Sequence, residues 1–223
     1  MSKSKRYKAL EAQGETNALN DAISFVKKNA SAKFDETVEI CFNLNLLKKH
    51  NIRDTVVFPH KFGVMPKVLV FTKGDKAEAA KEAGADYVGE DDLIEKIQGG
   101  WLDFDVAIAT PDMMRSIAKI ARILGTKGLM PNPKAKTVTD DVAGAVGQIK
   151  AGRREFRANN EGVINFAVGK ASMEESALEE NIKQFYDVLQ KKKPTDLKGD
   201  YIKTIYLSST MGKSVKLNRK TAF

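Results

Sequence analysis

The sequence predicts a mixed α/β protein of two domains, one of which is inserted into the other. Short apolar runs alternate with helical stretches between residues 67 and 157, a pattern typical of an open, parallel α/β unit. Each flank, residues 1–66 and 158–223, contains too few helices and strands to form a compact domain alone. We therefore predict that the flanks fold together as one split α/β domain, with residues 67–157 as the inserted domain.

The flanks supply the helices and strands of the split domain. A helix with one apolar face comes first and is followed by a strand at residues 38–46; the apolar face consists of Leu19, Ala22, Ile23 and Val26. The second flank begins with a strand at residues 162–169. Ser172, with Glu175 three residues later, matches a capping box and predicts the start of an amphipathic helix. A last strand is expected at residues 201–208.

The insert carries three short apolar runs that we expect to be buried strands, at residues 68–71, 87–88 and 106–109. A helix is expected after each run. Pro111 occupies a first helical position and begins a helix that we expect to reach about Leu124 and to end at Gly125. A final helix from about Asp140 to Lys150 completes the insert.

Basic charge is concentrated in the flanks. The chain has 37 Lys and Arg against 29 Asp and Glu, a net charge of +8. The insert has 15 basic and 14 acidic residues, so the two flanks together hold +7 of the total. A basic domain is the electrostatic signature of a nucleic-acid binder. No apolar run approaches the roughly 20 residues that cross a bilayer, and no apolar stretch follows the basic amino terminus. We expect a cytoplasmic protein with no membrane partner.

Few residues are available for catalysis or metal binding. A single cysteine, Cys41, excludes an internal disulfide and a cysteine-cluster metal site, and its place in an alternating strand predicts a core residue. The only histidines are His50 and His60, and nothing near them in sequence orients either as a base. These counts exclude most hydrolytic and metal-dependent enzyme classes. We expect no cofactor and no metal.

Two nucleotide-binding patterns are incomplete. Gly212-Lys213-Ser214 resembles the end of a phosphate-binding loop, but Leu207 stands where that loop needs its first glycine. The insert has a lone Gly74 after its first strand instead of a glycine-rich dinucleotide motif. A nucleotide-using enzyme built on the insert stays the alternative to a non-catalytic RNA-binding protein.

Two segments need more than a structural explanation. Residues 124–134 contain two glycines, two prolines and two lysines, so this loop must hold a specific shape. Residues 208–213 place small hydroxyl side chains and a glycine at the end of a strand. Such a surface lets another backbone approach closely and offers hydroxyls to phosphate or ribose.

Together with residues 31–39, these segments resemble the bacterial large-subunit ribosomal protein L-one family. The run Gly-Leu-Met-Pro-Asn-Pro-Lys at 128–134 and the Thr-Met-Gly at 210–212 are highly specific to that family. The resemblance extends from about Tyr7 to Asn218 in matching order. It implies a split α/β sandwich domain and an inserted, Rossmann-like three-layer α/β domain.

The resemblance also implies a function. A member of this family is a non-catalytic protein of the large subunit that binds the stalk region of the large ribosomal RNA. It assists release of deacylated tRNA from the exit site and represses translation of its own operon by binding its messenger RNA. The partners expected for this chain are therefore that ribosomal RNA, exit-site tRNA and its own messenger RNA. Off the ribosome we expect a monomer.

The resemblance assigns residues to these roles. RNA contacts are expected at Lys33, Phe34, Thr37, Arg157, Asn165, Lys170, Ser208, Ser209, Thr210, Met211, Gly212 and Lys213. An interdomain or structural loop is expected at Gly128, Met130, Pro131, Asn132, Pro133 and Lys134.

Overall fold

The computed structural model describes residues 15–16, 18–47 and 50–219, and it confirms a mixed α/β protein with several sheets. The chain divides into two compact units. One, here called the split unit, contains the residues up to Gly63 and those from Phe156 onward. The other, the inserted unit, is Val64–Glu155.

The described residues form ten strands and seven α-helices. The strands are β1 (Glu15–Thr16), β2 (Thr37–Leu44), β3 (Arg53–Val57), β4 (Val68–Phe71), β5 (Tyr87–Gly89), β6 (Val106–Ala109), β7 (Arg153–Arg157), β8 (Val163–Lys170), β9 (Ile202–Ser209) and β10 (Val215–Leu217). The α-helices are α1 (Leu19–Asn29), α2 (Asp75–Glu82), α3 (Asp91–Gln98), α4 (Met114–Ile117), α5 (Ala121–Lys127), α6 (Val142–Lys150) and α7 (Glu175–Lys191).

The split unit is built on a five-stranded sheet in the order β1-β10-β9-β2-β8. Strand β2 is antiparallel to both β8 and β9, so its first residue lies beside their last residues. Alternate residues of β2 are buried, as expected for a sheet covered on one face. Helices α1 and α7 cover that face and contribute their apolar stripes to the core. A second, two-stranded sheet pairs β3 with β7.

The opposite face of the five-stranded sheet carries polar and half-exposed side chains. Cys41, Asn165 and Tyr206 are neighbours in register on this face. Cys41 was predicted to be a core residue, and this is wrong, because the odd-numbered residues of β2 point away from the helices. Partial burial nevertheless raises the pKa of the Cys41 thiol above its usual value.

The inserted unit has a parallel sheet of three strands in the order β5-β4-β6. All four residues of β4 are buried, because helices lie on both faces of the sheet. Helices α3, α4 and α5 pack on one face around Leu69 and Phe71. Helices α2 and α6 pack on the other face around Val68 and Val70. The result is three layers with a core on each side of the sheet.

Several element boundaries differ from the prediction. Pro111 does begin a helical segment, but this segment alternates 3₁₀ and α turns, passes through Gly125 and ends at Gly128. Gly128 adopts a positive φ of 73°, which closes the last turn. Strands β3 and β7 were not predicted from the sequence. None of the helices in the described ranges is long and apolar enough to span a membrane.

The predicted capping box at Ser172 is also wrong. Helix α7 begins at Glu175, and Glu174 occupies the cap position without a side-chain cap hydrogen bond. Ser172 instead donates from its hydroxyl and its backbone N–H to the carboxylate of Asp35. The Ser172 hydroxyl therefore bonds a residue distant in sequence instead of capping the helix, as the local pattern had predicted.

Candidate nucleic-acid interface

Three loops meet at one end of the five-stranded sheet. Thr37 at the start of β2 pairs with Lys170 at the end of β8, and Val38 pairs with Ser209 at the end of β9. The loop before β2 therefore lies beside the segments that follow β8 and β9. We call this region the contact end and define it as residues 31–37, 170–172 and 209–212.

Thr37 and Thr210 are joined by reciprocal hydrogen bonds. The backbone N–H of Thr37 donates to Oγ1 of Thr210 over 3.0 Å, and the N–H of Thr210 donates to the carbonyl of Thr37, also over 3.0 Å. The hydroxyl of Thr210 also donates to that carbonyl over 3.3 Å. The turn after β9 is therefore fixed to the first residue of β2.

Lys170 and Ser172 fix the third loop to the same place. The ammonium of Lys170 donates to Oγ1 of Thr37 over 2.7 Å, which orients the threonine hydroxyl. Ser172 donates to Asp35 through its N–H over 3.1 Å and its hydroxyl over 2.8 Å. Each loop of the contact end thus bonds to another, so the three loops are held together without any partner.

Glu36 lies beneath this surface and was not identified from the sequence. Its side chain is buried, with only 1% of the residue exposed. One carboxylate oxygen accepts from the N–H of Ala32 over 2.7 Å, and the other accepts from the N–H of Met211 over 3.0 Å. Its carbonyl accepts from the N–H of Ala171 over 2.8 Å. Two of these partners are more than 130 residues from Glu36 in sequence, so no local sequence pattern indicates that Glu36 joins these loops.

The outer surface of the contact end combines apolar and basic side chains. Phe34 is 56% exposed and Met211 is 49% exposed, and Lys33 is exposed beside them. An exposed aromatic ring can stack on an unpaired base, and an ammonium can neutralise phosphate. Threonine hydroxyls at the same end can bond ribose. This arrangement suits single-stranded or looped RNA better than a regular duplex.

Ser209 and Gly212 form the tight turn that presents Met211. The Ser209 side chain is buried, and its hydroxyl has no hydrogen-bond partner among the described residues. A Cβ on Gly212 would approach this hydroxyl oxygen too closely, so a larger residue there would require the Ser209 hydroxyl to move. The structure thus places Ser209 under the surface, while Ser208 and Lys213 are half-buried.

Two of the predicted contact residues lie away from the contact end. Asn165 is exposed in the middle of β8, where it pairs with Cys41. The five residue steps from Asn165 to Lys170 correspond to about 16 Å of strand. Arg157 is the last residue of β7, exposed in the two-stranded sheet. The structure therefore does not bring these two together with Lys33 and Met211.

The loop at 128–134 is fixed by hydrogen bonds to residues close to it in sequence. Asn132 accepts from the N–H of Lys134, and its own N–H donates to Oγ1 of Thr137 over 2.8 Å. Pro131 is buried, and Met130 packs against the core of the inserted unit. The glycines and prolines of this loop therefore hold a structural turn.

Both histidines have carboxylate partners, which lie far from them in sequence. Nε2 of His50 lies 3.0 Å from Asp196, and Nε2 of His60 lies 2.8 Å from Glu180. In the described part of the chain, no group of three or more His, Cys, Asp or Glu side chains forms a candidate metal site. At the carboxyl edge of the parallel sheet, the ammonium of Lys73 forms an ion pair with the carboxylate of Glu90 over 3.8 Å.

The comparisons with known proteins agree with one another. A family model described as "Ribosomal protein L1p/L10e family" matches residues 26–213. The chain is 53% identical over 201 residues to "Large ribosomal subunit protein uL1" of Borrelia hermsii, covering 90% of each chain. It is 54% identical over 207 residues to the protein of the same name from Thermosipho melanesiensis, covering 91% of this chain and 89% of the relative. A relative from Borrelia duttonii is 51% identical over 216 residues.

Proposed function

The chain belongs to the ribosomal protein L1p/L10e family, and from this we propose that it binds the stalk region of the large ribosomal RNA through the contact end. It is a ribosomal protein of the large subunit and not an enzyme, like the relatives whose names it matches. The observation that carries the proposal is the set of three hydrogen-bonded loops presenting Phe34, Met211 and Lys33 to solvent.

The charge distribution supports the same surface. The two chain ends hold +7 of the net +8, and both contribute loops to the contact end. Lys33 supplies exposed positive charge, and Lys170 is held beside the Thr37 hydroxyl. In the proposed complex these lysines neutralise phosphates while Phe34 stacks on a base. Thr37 and Thr210 bond ribose hydroxyls, and Gly212 lets the RNA backbone approach.

Three further partners and roles belong to the proposal. The protein assists release of deacylated tRNA from the exit site of the cytoplasmic ribosome. It represses translation of its own operon by binding a messenger RNA that folds like the stalk. Off the ribosome it is a monomer of two domains, residues 1–66 with 158–223 and residues 67–157, and the inserted Rossmann-like domain takes the smaller part in RNA contact.

A binding experiment tests the proposal. The purified chain is titrated with a fragment of the ribosomal stalk RNA and with random duplex RNA of equal length, at several salt concentrations. We expect strong preference for the stalk fragment and affinity that falls as salt rises, because counterions are released from the RNA. Equal affinity for the two RNAs would reject the proposal.

A second experiment separates a resident ribosomal protein from a free repressor. Large subunits are washed at increasing salt and sedimented, and the chain is followed in the pellet. Cosedimentation after the wash is the expected result. Recovery only in the supernatant, together with binding to its own messenger RNA, would assign the protein to regulation off the ribosome.

A further inference from the structure

We propose that Glu36 is the positioning residue of the contact end: its carboxylate holds the loop before β2 and the turn after β9 in the RNA-binding arrangement without touching RNA. This inference rests on the proposed RNA-binding function. The buried carboxylate of Glu36 accepts from the N–H of Ala32, in its own loop, and from the N–H of Met211, in the turn after β9. The third loop is bonded by the backbone carbonyl of Glu36, which accepts from the N–H of Ala171 and does not depend on the side chain.

The chemistry of the carboxylate explains why a glutamate occupies this place. An ionised carboxylate has two oxygens that only accept hydrogen bonds, so it can take one backbone N–H on each side. The bonds of 2.7 Å and 3.0 Å are charge-assisted and stronger than bonds between neutral groups. A glutamine has only one accepting oxygen. Its amide NH₂ group would face the second backbone N–H, so two donors would point at each other without an acceptor.

The bonded atoms lie next to the side chains that face the partner. Ala32 immediately precedes Lys33 and Phe34, and the N–H of Met211 belongs to the residue whose side chain is exposed. Releasing either N–H frees the backbone that aims these side chains. Because positions within a binding surface must be held to fractions of an ångström, RNA affinity should fall when the carboxylate is altered.

The sign of the effect distinguishes this role from simple electrostatics. Glu36→Gln removes a negative charge close to an RNA-binding surface, which by Coulomb attraction alone should tighten binding. We expect the opposite, a loss of about tenfold to a hundredfold in affinity for the stalk fragment. The matched control is Glu39→Gln, three residues further along and exposed on β2, which should bind RNA as tightly as the unaltered chain or slightly more tightly.

A second variant and a stability control keep the test decisive. Glu36→Asp retains the charge but is one methylene shorter, so it cannot reach both N–H groups, and it should weaken binding as well. Ile40→Val, at a buried core position of β2, should lower the melting temperature without altering the contact end. All affinities are measured well below the melting temperatures. If Ile40→Val weakens binding as much as the Glu36 variants, a role in general stability replaces the proposal.

Hydrogen exchange tests the bonds in the free chain. In the unaltered protein the amides of Ala32 and Met211 should be protected, and in Glu36→Gln at least one should exchange at least about tenfold faster. Unchanged exchange at both amides, or unchanged or tighter RNA binding by Glu36→Gln, would overturn the proposal. If the unaltered chain itself shows no preference for stalk RNA, the proposed function fails, while the exchange result still reports on the role of Glu36.

Discussion

The loop at 128–134 and the turn at 209–212 contain similar residues and serve different purposes. Each has a methionine beside a residue with special backbone properties. Met130 is packed against the core of the inserted unit, whereas Met211 is 49% exposed at the contact end. The loop is fixed by local bonds of Asn132 to Lys134 and Thr137, but the turn is bonded to Glu36, which is 175 residues away in sequence. A motif specific to a family can therefore either maintain the fold or face the partner. The burial of its side chains distinguishes the two cases.

Replacing each methionine with aspartate tests this difference most strongly. Met211→Asp places a negative charge on the proposed RNA surface, and we expect about a hundredfold loss of affinity for the stalk fragment. Its melting temperature should hardly change, because the side chain is half exposed. Titration with the stalk RNA and thermal unfolding provide the two measurements.

Met130→Asp should show the reverse pattern. A charge introduced against the core of the inserted unit should cost several kcal/mol of stability, about 2–4 kcal/mol. RNA affinity of the folded protein should be unchanged. If Met211→Asp is instead the destabilising variant, the turn belongs to the core and the comparison between the two segments fails.

Phe34→Ala is expected to have the next largest effect. Loss of one base-stacking contact should weaken RNA binding by about 1–3 kcal/mol, which is roughly tenfold to a hundredfold. The ring is 56% exposed, so thermal unfolding should show little change. Phe42→Ala is the control, because that ring is fully buried and its loss should cost about 3–5 kcal/mol of stability. A large stability loss in Phe34→Ala would place this ring in the core.

Much of the fold followed from sequence patterns, for physical reasons that particular elements illustrate. The buried run of β4 and the apolar stripe of α1 were predicted because each lies within one element. Strand β7, Arg-Arg-Glu-Phe-Arg, was missed because its charged residues hide the alternation typical of strands. The start of α7 was wrong because Ser172 bonds Asp35 instead of capping the helix.

The candidate site was only partly predictable for a related reason. Lys33, Phe34 and Met211 were identified by resemblance, and the structure places all three at the contact end. Glu36 was missed because its bonds to Ala171 and Met211 exist only after the two ends of the chain have folded together. No periodicity or spacing along the sequence encodes such a contact.

Lys33→Ala should have a smaller effect with a distinctive salt dependence. Removing one phosphate contact should lower the slope of log affinity against log salt by about 1 and weaken binding only several-fold at physiological salt. Lys119→Ala provides the control, because this lysine is exposed on the inserted unit. Titrations at four or more salt concentrations give the slopes. Equal slopes for the two variants would mean that Lys33 makes no phosphate contact. Other basic residues would then supply the electrostatic part of the interface.

The smallest effect is expected from Asp86→Asn, which tests whether polar contacts of the inserted unit act on stability alone. Oδ2 of Asp86 accepts from the N–H of Val68 over 2.8 Å and from the ammonium of Lys150 over 2.9 Å, and these bonds lower the pKa of the carboxyl. Because the folded pKa lies below the unfolded value, the stabilisation is present at neutral pH and is lost as the pH falls through the folded pKa.

The side chain of Asp86 is 37% exposed, so solvent screens the ion pair and Asp86→Asn should cost no more than about 1 kcal/mol at pH 7. The difference in melting temperature between the variant and the unaltered chain should shrink from about pH 5 downward, where the unaltered carboxyl begins to be protonated in the unfolded state. RNA affinity at pH 7 should be the same for both. A change in RNA affinity without a change in melting temperature would show that these polar contacts of the inserted unit contribute to RNA recognition and not only to its fold.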